Sequence, residues 1–301
     1  ITVFDIEDDN TRALSLQSGD VDMAQGIRAG DIALFTDNKD YVVKSTTGTR
    51  IEFLVMNTVK SSLSDKNLRL AVNSAVDYDT IAKVVGGGAV PAKAPFPASA
   101  PYGYDELNKQ TFDLEKTKTL LTEAGYKDTD NDGYVDKDGK NLELNIYGTA
   151  GGNTRANSTV AELLESQLKT AGIKANIKIA ENLDEIKKNG EFDLLFQNWQ
   201  TVSTGDSQWF LDNAFKTDGS GNYGKYSNKQ LDDLINKLAT TFDVKERQKI
   251  TKEASQIIID EAYGTYIVSQ ANVNVSNNKV ENMGNFPIDY YFLKADTKIN
   301  K

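Results

Sequence analysis

The sequence contains no cysteine and no histidine, and these two absences remove most of the familiar chemistry of protein sites. Without cysteine, no disulfide, thiolate zinc site or c-type haem attachment can form. Without histidine, no imidazole is available as a metal ligand or as the base of a Ser-His-Asp or Cys-His site. Most familiar enzyme chemistries are therefore excluded, and we expect no cofactor.

Basic residues are too few to balance the acidic ones. The 34 lysines and arginines stand against 44 aspartates and glutamates, which gives a formal net charge of -10. Such a chain repels phosphate backbones and anionic lipid surfaces, so we expect no nucleic-acid partner.

Long apolar runs are also missing, because no stretch approaches the ~18 to 20 apolar residues that span a bilayer. The chain starts at Ile1 without a signal-peptide pattern, so we expect a processed or truncated chain, with any membrane anchor outside it.

What is present is a globular composition, with 39% apolar and 26% charged residues over 301 positions, enough for two structural units. Apolar periodicity predicts alternating helices and strands, which indicates a mixed α/β fold. Four of the five prolines fall in residues 86–101, which we expect to be a long loop. The first predicted helix ends at Gly19, and later predicted helices begin at Asp65, Asp113, Ser158, Asn228 and Asp243. The predicted strands cover residues 20–23, 51–55, 142–146, 173–179 and 192–199.

An acidic turn follows the D-x-D-x-D-G spacing of calcium loops. The twelfth position of such a loop is Gly139 instead of the bidentate glutamate, and no second loop is present to pair with it. A weak calcium site therefore competes with a solvated turn, which Asp, Asn and Gly favour for local reasons. The candidate ligands are Asp128, Asp130, Asp132 and Asp136.

Two tryptophans border a polar loop. Trp199 ends an apolar strand, Trp209 lies ten residues later, and Gln200, Thr201 and Asp206 lie between them. Ligands of open α/β sheets bind beyond the carboxyl ends of strands, and aromatic walls with a few polar groups make such pockets. The segment is therefore a candidate ligand wall, although two indoles at a strand end are equally suited to core or hinge packing.

A glycine-rich turn, Gly148–Gly152, precedes Arg155 and a predicted helix. It lacks the spacings of nucleotide-binding loops, so we predict no nucleotide site there. Arg155 is a candidate clamp for a ligand carboxylate, and the alternative is an ordinary surface arginine. No two carboxylates are singled out as a glycosidase pair.

Several segments together resemble the bacterial extracellular solute-binding proteins of family 5, the group of oligopeptide, dipeptide and nickel binders. The residues from Leu14 to Asp22 are similar to the L-x-L-x-S-G-x-x-D signature of that family. Further similar segments follow in the same order along the chain: Phe53–Asn57, Asp65–Asp77, Tyr126–Gly133, Gly205–Asp206, Phe210–Leu211, Asn222–Tyr223, Tyr226–Asn228 and Glu246–Arg247.

The resemblance implies a periplasmic-binding-protein-like fold of type II, cluster C, with a mixed sheet and flanking helices. Family members are considerably longer, and this chain is similar to their second half. The implied division is residues 1–48 as part of lobe I, 49–271 as lobe II, and 272–301 as the C-terminal return to lobe I. Hinge strands are expected near residues 49–53 and 269–274, about which the lobes would close.

One departure bears on the ligand. Some family members bind peptides that have a free amine. In them, an aspartate three residues after the tryptophan that ends the strand binds the ammonium group of the peptide. In this chain that position is Val202. Asp206 is the nearest carboxylate. Because the chain has no histidine, a metal would be carried through a chelator.

The resemblance thus implies an extracellular or periplasmic, membrane-tethered and monomeric substrate-binding subunit of an ABC importer. Its partners would be a cognate permease and a short peptide or a nickel or other metal chelate, contacted by Trp199, Gln200, Thr201, Arg155, Asp206 and Trp209. Two other hypotheses are a calcium-binding surface or adhesion module and a carboxylate-based glycoside hydrolase.

Overall fold

The computed structural model describes residues 1–59, 62–151 and 156–300. The described residues form ten α-helices, and none of them is long and apolar enough to cross a membrane. The helices are α1 (Asp9–Ser18), α2 (Ala33–Thr36), α3 (Lys66–Ala75), α4 (Tyr78–Val85), α5 (Leu114–Glu123), α6 (Ser158–Thr170), α7 (Asp184–Asn189), α8 (Gln208–Ala214), α9 (Lys229–Thr240) and α10 (Val244–Asp260).

Seven strands join in one mixed sheet, in the order β1-β9-β2-β8-β6-β7 with β3 paired to β9. The pairs β6–β7 and β6–β8 are parallel, and the others are antiparallel. The strands of this sheet are β1 (Met23–Gln25), β2 (Tyr41–Met56), β3 (Val90–Pro91), β6 (Glu143–Thr149), β7 (Lys174–Ala180), β8 (Leu194–Gln200) and β9 (Gly264–Asn277). Two separate two-stranded sheets pair β4 (Asp136–Lys137) with β5 (Lys140–Asn141) and β10 (Val280–Glu281) with β11 (Lys298–Ile299). This confirms the predicted mixed α/β fold with flanking helices.

The two longest strands, β2 and β9, form an antiparallel ribbon whose register shifts twice, at a wider interruption near its middle and by one residue of β9 between Glu52 and Phe53. Pairing stops at Thr47 with Ala271 and resumes at Ile51 with Ser269, so three residues of β2 face one residue of β9. The interruption falls at the expected hinge strands. It divides the ribbon into two paired segments with a local irregularity between them.

Three buried clusters pack around this ribbon. The terminal core is built entirely from residues of the first 48 positions and of β9 beyond the interruption: Ala13, Leu16, Ala24, Ile27, Phe35, Val273 and Val275. The helix core places α3, α4, α5 and α6 on one sheet face, with Leu54, Met56, Val72, Leu144, Leu164 and Phe196 among its members. The aromatic core lies on the other face, with Ile51, Phe53, Leu195, Phe210, Leu231 and Ile258 among its members.

Helix caps follow the sequence closely. Asp8, Asp65, Asp113 and Asp243 each accept a hydrogen bond from a backbone N–H of the first turn that follows, as capping residues do. The tail pairs with the first segment as expected, through β1 and β9.

Three local predictions were wrong. Asn157, not Ser158, caps α6, because Asn157 is the extended residue whose side chain accepts from Thr159 N–H. The strand predicted at residues 20–23 begins only at Met23, where pairing with β9 starts. Residues 86–101 are a loop except for β3, which adds to the edge of β9.

We predict a large loss of stability from Phe210→Ala. Phe210 is fully buried and contacts the rings of Phe53, Phe96, Trp199 and Phe215 at centroid distances of 5.3 to 6.0 Å. Removing it leaves a cavity, so the free energy of unfolding should fall by about 3 to 5 kcal/mol in denaturant titrations.

The matched control is Phe242→Ala, since Phe242 is 90% exposed. It should change the free energy of unfolding by less than about 0.5 kcal/mol. Equal losses from the two variants would contradict the described aromatic core.

Candidate functional site

A cleft of about 2110 Å³ opens beside the interruption in the β2–β9 ribbon. Its walls include residues 20–30 and 270–273, together with Arg50, Asn198 and Asp289. Typical small-molecule pockets enclose about 300 to 1,000 Å³, so this cleft has room for a larger ligand. It lies where the terminal core meets the end of the main sheet.

Asp289, in the C-terminal tail, connects three parts of the protein beside the cleft through its carboxylate and its backbone carbonyl. Arg50 donates to the carboxylate from Nε at 2.7 Å, and Gln200 donates from Nε2 at 2.6 Å. Gln25 of β1 donates to the backbone carbonyl of Asp289 at 2.6 Å. One tail residue therefore holds the first segment, the interrupted strand and the end of β8 together.

At Thr49, the interrupted stretch of β2 forms backbone hydrogen bonds with the tail and with the residue that follows β8. Thr49 N–H donates to the carbonyl of Pro287 at 3.0 Å, and Thr201 N–H donates to the carbonyl of Thr49 at 3.1 Å. Buried backbone groups need such partners, so the irregularity is fully accommodated at these positions.

The predicted contacts Gln200 and Thr201 are both buried, and their polar groups are used inside the protein. The Gln200 carbonyl accepts from the Thr49 hydroxyl, while its amide donates to Asp289. The Thr201 hydroxyl donates to the Thr49 carbonyl at 3.2 Å. Both residues join β8 to β2, and their contact with a ligand stays a prediction.

The two tryptophans contact each other but are not among the described residues that line the cleft, and their role as a ligand wall stays a prediction. Their ring centroids are 5.6 Å apart, Trp199 is partly buried against Phe210, and Trp209 is 48% exposed. The indole nitrogen of Trp199 is buried and has no hydrogen-bond partner among the described residues. Side chains alternate along β8, so Asn198 faces the cleft while Trp199 faces the aromatic core.

Asp206 is held by Arg247 of α10. Arg247 donates from Nε at 2.9 Å and from Nη2 at 2.6 Å to the two carboxylate oxygens, and Gln208 N–H donates at 2.8 Å. Burial raises the pKa of Asp206, but these hydrogen bonds and the arginine charge outweigh it and hold the pKa below its usual value. Its contact with a ligand ammonium group stays a prediction.

The acidic turn gathers three of its four candidates. Carboxylate oxygens of Asp128, Asp130 and Asp136 lie within 4.8 Å of one another, whereas Asp132 accepts from Tyr134 N–H and Asn141. Asp136 is buried and accepts from Thr129. Hydrogen bonds within the turn therefore occupy many of the carboxylate oxygens of the candidate ligands. A calcium site stays a prediction.

Arg155 lies outside the described residues. The helix that follows it is described, and Asn157 N–H donates to the buried carboxylate of Glu52 at 3.2 Å. Glu52 also accepts from Gln270, which lines the cleft. Of the described residues on either side of Arg155, Ala150, Gly151 and Asn157 line the cleft.

Sequence reasoning missed Arg50, Asn198 and Asp289, because nothing in a sequence pairs positions 239 residues apart. The link between Asp206 and Arg247 left a clearer trace. Each belongs to a segment that carried the family resemblance, and the two have opposite charges. The opposite charges of Asp206 and Arg247 were therefore the signal in the sequence that could have indicated this salt bridge.

Comparisons with known proteins agree with this geometry. The sequence model of the bacterial extracellular solute-binding proteins, family 5 Middle, matches residues 1–222. The nickel-binding protein NikA of Staphylococcus aureus is 29% identical over 304 residues, which cover all of this chain and 59% of NikA. The oligopeptide-binding protein AppA of Bacillus subtilis is 28% identical, over 89% of this chain and 50% of AppA.

The solved structures of these two relatives share the fold. NikA of S. aureus in complex with Ni(L-His)2 superposes with a TM-score of 0.79 at 27% identity, over 98% of this chain and 61% of NikA. AppA of B. subtilis in complex with a nonapeptide superposes with a TM-score of 0.79 at 25% identity, over 95% of this chain and 57% of AppA. The chain thus spans about half to three-fifths of the relatives it matches.

We predict that Asp289→Asn loosens the tail from the interrupted strand. The side chains of Arg50 and Asp289 are only 21% and 24% exposed, so the loss of charge leaves a partly buried arginine without its counter-ion. The free energy of unfolding should fall by about 1 to 3 kcal/mol. Hydrogen exchange at Thr49 N–H should accelerate.

Asp233→Asn is the matched control. It removes the exposed pair of Lys229 and Asp233 on α9, whose side chains are 86% and 63% exposed. Exposed pairs contribute little to stability, so neither quantity should change measurably. Unchanged exchange at Thr49 in Asp289→Asn would contradict the described connection.

Proposed function

Because the chain belongs to the bacterial extracellular solute-binding proteins of family 5, we propose that it is part of the substrate-binding subunit of an ABC importer. It captures a short peptide or a metal chelate for uptake and does not turn it over. The observation that carries this proposal is the cleft beside the interrupted β2–β9 ribbon.

The interruption supplies the hinge. Residues 1–48 and 272–301 form part of lobe I, and residues 49–271 form lobe II. The terminal core on one side and the other two cores on the other side support this division. Lobes that pack internally and are joined by two strands close over a ligand by a hinge motion.

The ligand is a short peptide or a nickel or other metal chelate, as the names of NikA and AppA suggest. A metal is carried as a complex, because the chain has no histidine to ligate it. If the ligand is a peptide, its amine is held elsewhere than at Val202, which is apolar and buried.

Neither tryptophan is among the described residues that line the cleft, and Trp199 faces away from it; the proposed role of Trp199 and Trp209 is an aromatic wall at the end of β8. Aromatic faces stack on ligand rings and apolar side chains, and the exposed half of Trp209 is available for this. Arg155 clamps a ligand carboxylate. Gln200 and Thr201 define the end of β8 beside the wall, and their hydrogen bonds to Thr49 couple the wall to the hinge.

The subunit acts outside the cytoplasmic membrane, tethered to it or in a periplasm, as a monomer that delivers ligand to its cognate permease. The family's extracellular location supports the first part. The acidic net charge of -10 supports the absence of a nucleic-acid partner.

We predict that Trp209→Ala weakens ligand binding about tenfold, the upper range for one aromatic contact. Two probes are titrated into the full-length protein by calorimetry: nickel(II) with two equivalents of L-histidine, and a synthetic nonapeptide.

A second variant, Trp199→Phe, tests the partly buried ring of Trp199 while keeping an aromatic side chain at this position. Native mass spectrometry of the protein purified without refolding identifies any ligand that co-purifies.

Phe242→Ala is the control, since it also removes an exposed aromatic ring but lies at the turn between α9 and α10. It should leave the affinity unchanged. Equal affinity in wild type and both tryptophan variants would refute the aromatic wall. A protein that binds neither probe, but whose melting temperature rises with calcium, would favour the calcium-module hypothesis.

A further inference from the structure

A single side chain of α10 joins three separate segments. Besides its two bonds to Asp206, Arg247 donates from Nη1 to the carbonyls of Leu238 and Thr241, both at 2.6 Å. These carbonyls lie at the C-terminal end of α9. Arg247 thus connects α9, α10 and the polar loop between β8 and α8.

This arrangement needs an arginine. The planar guanidinium presents donors on two edges, so it can bind a carboxylate with one and carbonyls with the other. The last carbonyls of a helix have no partner within the helix, and a cation there also meets the negative end of the helix dipole. A lysine supplies one point charge and cannot occupy both edges at once.

A second contact fastens the same loop to the same helix. The hydroxyls of Ser207 and Thr251 are buried and lie 2.6 Å apart. Thr251 follows Arg247 by four residues, so the two side chains lie on one face of α10. Asp206 and Ser207 are adjacent in the loop and immediately precede α8, which carries Trp209.

We propose that Arg247, through Asp206, positions the loop of residues 201–207 and thereby holds Trp209 against Trp199 for ligand binding. Arg247 is a positioning residue and does not touch the ligand. The inference rests on the proposed function, because it assumes that the two indoles form the wall of the site.

This inference also assigns a role to Asp206. Its two oxygens receive three hydrogen bonds, from Arg247 and from Gln208 N–H, so they are directed at the protein. Asp206 therefore acts on ligand affinity by ordering the loop, and not as a contact for a ligand ammonium group.

The first variant is Asp206→Asn, which keeps the shape of the side chain and one oxygen for Gln208 N–H but loses the paired acceptor of Arg247. It leaves the bonds of Arg247 to α9 in place. The second variant is Arg247→Lys, which weakens the same salt bridge by changing the arginine instead of the aspartate. Circular dichroism establishes that each variant is folded.

The control is Glu246→Gln. It removes the ion pair of Lys237 with Glu246, which joins the same two helices at 2.7 Å but makes no contact with the loop. Glu246 directly precedes Arg247, so any general effect on the start of α10 appears in this control as well.

The readouts are ¹⁹F resonances of 5-fluorotryptophan at positions 199 and 209 in the full-length protein, assigned with tryptophan-to-phenylalanine variants, and calorimetric affinity for the two probes above. We expect both resonances to shift or broaden in Asp206→Asn and Arg247→Lys, with affinity reduced about tenfold. Glu246→Gln should change neither readout.

Unchanged resonances in both loop variants would overturn the inference whatever happens to binding. Shifted resonances with unchanged affinity, in a protein whose Trp209→Ala variant binds weakly, would also overturn it and leave the proposed function intact. Tighter binding of the nonapeptide in Arg247→Lys would identify Asp206 as a ligand contact instead. A wild type that binds neither probe would refute the proposed function, and the resonances alone would then decide whether Arg247 positions the loop.

Discussion

The β2–β9 ribbon is the element on which the rest of the molecule depends. One half of it closes the terminal core, and the other half is the centre of the main sheet between the helix and aromatic cores. Two antiparallel strands resist separation along their length but bend readily where their ladder is interrupted. The placement of that interruption therefore decides where relative movement of the cores can occur.

Close backbone approach fixes the interruption at one position. A Cβ at Gly48 would lie 2.6 Å from the carbonyl oxygen of Gln270, so only glycine lets the strands pass at this point. Its own carbonyl accepts from the Ser269 hydroxyl at 2.9 Å, which replaces a ladder bond by a side-chain bond. Tertiary contacts thus hold the irregular stretch in place, and these contacts limit how far it can move.

Local signals in the sequence were sufficient for several capped helices and for the fold class, because caps and apolar periodicity act within a few residues. Asp113 and Asp243 illustrate this, since each caps its helix where the sequence indicated. The division into lobes and the hinge came from the family resemblance and stay predictions. The cleft wall could not be predicted from local signals, because Asp289 and Arg50 are 239 residues apart and meet only in the tertiary structure.

The tryptophan pair shows what the position of a residue at the end of a predicted strand does not reveal, namely the face of the sheet on which its side chain lies. Trp199 and Trp209 contact each other, but pleating places Trp199 on the aromatic face and Asn198 on the cleft face. Gln200 and Asp206, chosen for their polarity, have hydrogen-bond partners inside the protein. One sequence does not distinguish a polar residue that holds a loop in place from one that contacts a ligand.

Two charged clusters connect different parts of the molecule. Asp289 ties the tail to the interrupted strand, whereas Arg247 lies within residues 49–271 and ties the loop after β8 to α9 and α10. Under the proposed function, a change at Asp289 would alter how easily the cleft closes for any ligand. A change at Arg247 would alter the position of one aromatic wall, so its effect would depend on what the ligand places against the indoles. Affinity and selectivity would then vary separately, because different salt bridges would control them.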